Sequence, residues 1–297
     1  MNGILVVDKP QDYTSFDVIA VLRKKFNQKK IGHMGTLDPM ATGVLPILLG
    51  STAKFQMFTS EQEKEYVAEV KFGINTDTWD IFGKVIEEAP TNVKKTDLEA
   101  ILKKFRGKIN QIPPMYSAIK KNGVKLCDLA RRGKVIEREP RVVEIKSLEL
   151  IDFDETQQLA KIKVRCSKGT YVRSLCFDIG KELNCLAVMG NLRRTLSNSF
   201  SLEDAVNLEA IKNMSIEELT ENHVFSTDYL FKNNKAVHID ENSAFKFKNG
   251  VNLEFRWLNL KENISEGEIL KLYSGDCFLG LGQADLKSSR IKFLKCE

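Results

Sequence analysis

Two stretches of the chain alternate apolar and polar residues with a period of two, and they set the kind of fold the rest must complete. In KEYVAEVKFG, Tyr66, Ala68, Val70 and Phe72 face one way, while Glu65, Val67, Glu69 and Lys71 face the other. In LAKIKVRCSKGT the apolar side is Ala160, Ile162, Val164 and Cys166. Helical patterns are mixed in among such strands, and neighbouring strands often lack a helix between them. That arrangement predicts an α+β fold with a central mixed, largely antiparallel sheet flanked by helices, not a doubly wound parallel one.

The flanking helices carry their own marks. An opening buried strand, ILVVD, stops at Lys9-Pro10, and Thr14 or Ser15 can cap the next segment, where Val18, Ile19, Leu22 and Phe26 recur at helical spacing. TDLEAILKKFRG predicts a second helix, with Thr96 and Glu99 as a capping box, Leu98, Ile101, Leu102 and Phe105 as its stripe and Gly107 as its stop. YVRSLCFDIGKEL predicts a third through Val172, Leu175, Cys176, Ile179 and Leu183. Beyond Phe231 the pattern breaks into short apolar bursts, AVHI, GEILKLY, CFLGLG and RIKFLK, parted by turns such as Ser274-Gly275-Asp276. Two domains are therefore expected, over residues 1–231 and 232–297, the second small and β-rich.

With 297 residues, 42% hydrophobic and 29% charged, the chain has enough apolar content for a core and reads as soluble and globular. A net charge of +5 is a weak pointer to an anionic partner; its distribution says more. From Lys120 to Arg141, KKNGVKLCDLARRGKVIEREPR sets Lys120, Lys121, Lys125, Arg131, Arg132, Lys134, Arg138 and Arg141 against Asp128, Glu137 and Glu139. Thin in apolar residues, this piece predicts a projecting arm of short helix and hairpin, in an insertion of about residues 115–141. Its charge suits either a solvated surface or a clamp on a nucleic-acid backbone. The six cysteines form no Cys-x-x-Cys pair, and histidines at 33, 223 and 238 are too few for a histidine-rich metal site. No N-terminal stretch reads as a secretory signal and no run approaches the roughly 18 apolar residues of a membrane span. Free thiols in a reducing cytoplasm are the expectation.

The stretch Gly32 to Pro46, GHMGTLDPMATGVLP, asks for a separate explanation. Asp beside Pro among Gly and Thr is ordinary turn chemistry, in which the carboxylate accepts from nearby backbone N–H groups. One His and one Asp are too few for a metal, and the Gly-Lys-Ser/Thr ending of a phosphate loop is missing. A second reading starts from Pro39, which biases Asp38 toward an extended conformation that presents its side chain outward. Gly35 and Gly43 leave room for a ligand to approach the backbone. Such an aspartate suits attack on an electrophilic carbon if a cation stands near it, and Arg173, just after Gly169-Thr170, is the candidate.

These residues resemble the catalytic motif of the TruB family of tRNA pseudouridine synthases. The likeness runs through GILVVDKPQDYTSFDV, KEYVAEVKFG, TDTWDIFG, QIPPMYSAIK with NGVKL, SKGTYVRSL and NLRRT, in family order over about Asn2 to Ala205. The tail resembles the family's small PUA-type RNA-binding domain. What the resemblance implies is a pseudouridine-synthase catalytic domain that needs no cofactor and no metal. Its substrate would be the T-arm stem-loop of tRNA, where it would flip the uridine at position 55 out of its stack and isomerise it.

The same resemblance assigns residues. Asp38 would be the catalytic aspartate, Tyr66 would stack under the target uracil, and Arg173 would pair with Asp38 and hold it ionised and oriented. A cation in a first helical turn opposes the helix dipole unless an anion compensates it, and Asp38 would be that anion. Tyr171 and Leu192 would line the pocket and His33 would support the opened RNA loop. Gly35 and Lys9 complete the substrate-binding set, with Lys9-Pro10 as a buttress of the loop. Lys120, Lys121, Lys125, Arg131, Arg132 and Arg141 would meet the RNA backbone. Asp38 could attack C1′, add to the base, or assist a glycal by removing the 2′ proton, with Tyr66 accepting or relaying it. A non-catalytic RNA-binding relative would most simply have lost Asp38, Tyr66 or Arg173, and all three are present. A glycosidase would want paired carboxylates, and the loop offers one. Guide-dependent relatives work with protein partners; with no long charged tail here, a stand-alone monomer is expected.

Overall fold

The computed structural model describes residues 1–59, 63–258 and 264–297. Its main body is a mixed sheet with strands in the spatial order Val206–Asn207, Gly3–Lys9, Thr42–Leu49, Ala187–Ser197, Lys64–Phe72, Leu159–Cys166, Arg141–Asp154 and Gly107–Gln111. Most neighbours are antiparallel. Strand Thr42–Leu49 instead meets Ala187–Ser197 in parallel, at Arg193 opposite Thr42 and Arg194 opposite Gly43. The approach is close: Gly43 has φ +104°, and a Cβ there would lie 2.1 Å from the Arg194 carbonyl oxygen. Only glycine fits where these two strands meet.

The alternation fixes the faces of this sheet. Tyr66, Ala68, Val70 and Phe72 are buried with Ala160, Ile162, Val164 and Cys166, in one core with the apolar stripes of helices Ser15–Lys25, Lys95–Lys104 and Val172–Glu182. The other face carries charge, as where Glu65 pairs with Lys163 at 3.2 Å and accepts from the Thr195 hydroxyl at 2.8 Å. Tyr66 lies opposite Val164 on one side and Arg194 on the other, which puts it in mid-sheet beside the 34–41 loop.

Helix Ser15–Lys25 opens on a reciprocal capping box between Thr14 and Asp17. Helix Lys95–Lys104 starts differently from expectation. Its cap position is Lys94, with no side-chain cap, and the Glu155 carboxylate from a distant turn accepts from the Lys95 N–H at 3.2 Å. Thr96 and Glu99 are thus already inside the helix. The arm is a hairpin of Lys120–Lys121 with Val124–Lys125, followed by helix Leu126–Arg131. A second, five-stranded sheet is built from Ala236–His238, Leu253–Glu254, Ile269–Ser274, Cys277–Asp285 and Arg290–Cys296. It packs on helix Glu241–Lys248 around its own core and meets the main body through Phe55, Phe231 and Leu281. Among the described residues no helix is long and apolar enough to cross a membrane.

Candidate active site

The 34–41 loop is closed where Ile31–His33 pairs with the end of Thr42–Leu49 and the Met34 N–H donates to Pro46 at 2.9 Å. Within it the Asp38 backbone carbonyl, not its carboxylate, accepts the turn bond from the Ala41 N–H at 3.1 Å. The turn reading and the catalytic reading are therefore compatible: the main chain makes the turn and the side chain is left to point elsewhere. Three side chains fasten the loop from below. The Ser15 hydroxyl accepts from the Leu37 N–H at 2.9 Å. Arg194, fully buried, donates to the carbonyls of Val44 at 2.7 Å, Gly35 at 3.2 Å and Thr36 at 3.4 Å.

Lys9 is the third anchor. It is fully buried, and its ammonium donates to the carbonyls of Tyr13 at 2.6 Å, Pro10 at 2.8 Å and Pro39 at 3.1 Å. Grouped above with the substrate-binding residues, it has its donors spent on carbonyls, one in the 34–41 loop and two in the turn after the first strand, which ties the two together. Burial lowers its pKa to about 8, with nearby Asp12 and Asp38 opposing that shift. Lys9→Met leaves those carbonyls without their donor and is expected to cost about 2–4 kcal/mol. A thermal melt showing an unchanged midpoint would contradict the anchoring role.

Above the loop, Arg173 emerges from the first turn of helix Val172–Glu182, only 6% exposed. One terminal nitrogen meets the Asp38 carboxylate at 3.0 Å and the Tyr116 carbonyl at 2.8 Å. The other meets the Thr78 carbonyl at 3.1 Å and the Asp80 carboxylate at 3.6 Å. Two anions thus balance a cation placed against the helix dipole. Asp80 is 4% exposed and Asp38 35%, so Asp80 is buried structure while Asp38 stays open to a ligand. Neither Asp80 nor Tyr116 was singled out by the sequence reading. Each lies in a motif, TDTWDIFG or QIPPMYSAIK, whose individual side chains carry no periodic signal.

Tyr66 is 7% exposed and sits opposite Arg194 in the sheet. Burial pushes the phenol up to about 12 despite that cation, so it is a neutral hydroxyl at ordinary pH. Tyr171 caps the Arg173 helix, and its backbone is gripped at both ends by the Gln111 amide, at 2.8 and 3.1 Å. Leu192 is buried on the strand beside Tyr66, opposite Ala68. Gly35 has φ +105°, and the Lys64 side chain lies 3.1 Å from where its Cβ would be. His33 packs edge-on to the exposed Phe16 at 5.8 Å, with its Nδ1 buried and unpartnered. Burial, aided by Arg194, lowers its pKa and favours the neutral ring. The basic residues Lys120, Lys121, Lys125, Arg131, Arg132 and Arg141 are all exposed on or beside the arm.

Comparison with known proteins follows the same lines. The model for the N-terminal domain of TruB family pseudouridylate synthases matches residues 23–172, and that for the tRNA pseudouridylate synthase B C-terminal domain matches 173–232. The tRNA pseudouridine synthase B of Clostridium tetani is 42% identical over 292 residues, spanning 98% of both chains. That of Francisella tularensis subsp. novicida is 46% identical over 220 residues, 73% of this chain and 72% of its own. A solved H/ACA RNP bound to a substrate RNA containing 2′-deoxyuridine contains a chain with the same fold, at TM-score 0.74 and 22% identity, over 99% of this chain and 84% of that one. A protein of this sheet order, with a loop aspartate held by a buried arginine and with relatives matched along its whole length, belongs to the TruB family of pseudouridine synthases.

Proposed function

We propose that this enzyme isomerises uridine 55 in the T-loop of tRNA to pseudouridine, acting as a single chain with Asp38 as its catalytic carboxylate. The observation that carries the reading is the Asp38–Arg173 pair at 3.0 Å, one partner open and the other buried, on a loop fastened by Lys9, Ser15 and Arg194. The reaction breaks the bond from uracil N1 to ribose C1′ and forms one from C5 to C1′. The C5 hydrogen leaves to solvent and N1 takes up a proton. A flipped base needs a flat partner to offset the lost stacking, and Tyr66 supplies it from mid-sheet. Being neutral, the Tyr66 phenol can donate to the base. To accept a 2′ proton it must pass its own onward. Tyr171 and Leu192 bound the base, and His33 with its neutral ring fills the gap left in the RNA loop.

Tritium release from tRNA labelled at C5 of its uridines tests this. Release from wild-type transcript but none from a transcript with cytidine at position 55 is expected, since isomerisation must exchange that hydrogen. Equal release from both would move the target to another uridine.

The exposed cations of the arm would hold the RNA backbone, with residues 232–297 as a second RNA-binding unit. Replacing Lys120, Lys121 and Lys125 by glutamine should weaken tRNA binding and flatten the plot of log affinity against log salt by about two. An unchanged slope would remove the arm from the interface.

A further inference from the structure

Trp79 stands where three parts of the site meet. Its indole stacks on the Phe177 ring, with centroids 4.4 Å apart and planes 15° from parallel. Phe177 lies one turn beyond Arg173 on the same helix. Against the indole also lies the Arg138 guanidinium, 5.3 Å from the centroid, reaching in from the arm. The chain neighbours of Trp79 are both ligands of Arg173, Thr78 through its carbonyl and Asp80 through its carboxylate. Trp79 itself has φ +62°, a left-handed conformation that a bulky residue rarely adopts and keeps only when its surroundings hold it. That conformation shapes the turn from which residues 78 and 80 both reach one guanidinium nitrogen.

The arm reaches Arg173 by a second route. The Tyr116 carbonyl, at the foot of the insertion, accepts from Arg173 at 2.8 Å. Arg138 differs from the arm's other arginines and lysines. They are exposed, even where Lys121 donates to the Glu137 carbonyl and Arg131 pairs with Asp128, whereas Arg138 is turned inward, half-buried, with one nitrogen donating to the Pro113 carbonyl at 3.2 Å. A cation wanted only for RNA would not be spent on an indole.

We propose that Trp79 is a positioning residue that couples docking of the basic arm to the Arg173–Asp38 pair. Arg138 and Phe177 clasp the indole, and the indole holds the 78–80 turn in the form that brackets Arg173. The Trp79 carbonyl also accepts from the Met189 N–H at 3.1 Å, so the turn has a fixed backbone, and what the arm governs is the indole. An arm drawn down by RNA keeps Arg138 on Trp79; an arm lifted away leaves the indole clasped by Phe177 alone. The inference rests on the RNA-isomerising reading above, and it links capture of the substrate to orientation of the catalytic carboxylate.

The chain has two tryptophans, so a full-length Trp257→Phe parent makes Trp79 the only one. In that parent, Arg138→Gln and Trp79→Leu should each slow single-turnover isomerisation at saturating tRNA about tenfold, with tRNA affinity changed less than about threefold. The double variant should be no slower than the slower single, because both act through one contact. Trp79→Phe, which restores a flat ring, should recover most of the rate. Lys134→Gln, an exposed arm cation outside the set assigned to the RNA backbone, should leave the saturated rate alone. If Arg138→Gln likewise left the saturated rate alone, the inference would be overturned. Should Trp79→Leu fail to fold, indole emission decides: adding tRNA should change Trp79 emission in the parent and not in Arg138→Gln, and identical changes in both would sink the idea. A parent that bound tRNA but did not isomerise it would overturn the functional reading, while its emission would still report whether docking reaches Trp79.

Discussion

Asp38→Asn is expected to abolish isomerisation, by at least about 10⁴-fold, while leaving tRNA affinity within about threefold of wild type. Asparagine keeps the shape of the side chain and an oxygen that can accept from Arg173. The loop does not depend on the carboxylate, since the turn bond to Ala41 comes from the Asp38 main chain and the anchoring comes from Lys9, Ser15 and Arg194. Asp80 remains as an anion for Arg173. With Asp38 35% exposed, no cavity forms, and stability should shift by less than about 1 kcal/mol. What is lost is an anionic oxygen able to attack carbon or take a proton. The measurement is tritium release from C5 beside a binding isotherm on the same preparation. Release at the wild-type rate would show that the chemistry belongs to another group.

The sheet and the loop were legible in the sequence because each has a local physical signature. A period of two fixed the faces of Lys64–Phe72 and Leu159–Cys166, and Pro39 between glycines marked a presented aspartate. What stayed hidden depends on partners distant in the chain. Arg193 and Arg194 are adjacent in NLRRT, yet they sit on opposite faces of a strand. Arg193 pairs with Asp8 at 2.8 Å on the open side, while Arg194 is fully buried beneath the loop. Nothing in NLRRT says which of the two goes inside; the strand's register does. Likewise, Thr96 and Glu99 had the right spacing for a capping box, but Glu155 reached the helix terminus from another turn, so the helix begins two residues earlier. Helix Glu241–Lys248 shows only Ala244 and Phe247 as buried apolar residues, too few to stand out among strand-like bursts.

Arg173→Met should lose both activity and stability, and a second substitution should separate the two losses. Methionine approximates the length of the side chain but leaves the Thr78 and Tyr116 carbonyls without their donor and the nearly buried Asp80 carboxylate without its cation. Stranding a buried charge in this way costs about 3–5 kcal/mol. Asp38, more open to water, adds less to that penalty. Activity should fall about 10²–10³-fold, because the carboxylate loses the group that orients it. Adding Asp80→Asn removes the stranded charge, so the double variant should recover much of the lost thermal stability. It should not recover activity, since nothing replaces the contact to Asp38. Melting curves and single-turnover rates on the same two variants make the comparison. If activity returned along with stability, Arg173 would only be holding the fold together, and the orientation of Asp38 would have to come from the loop alone.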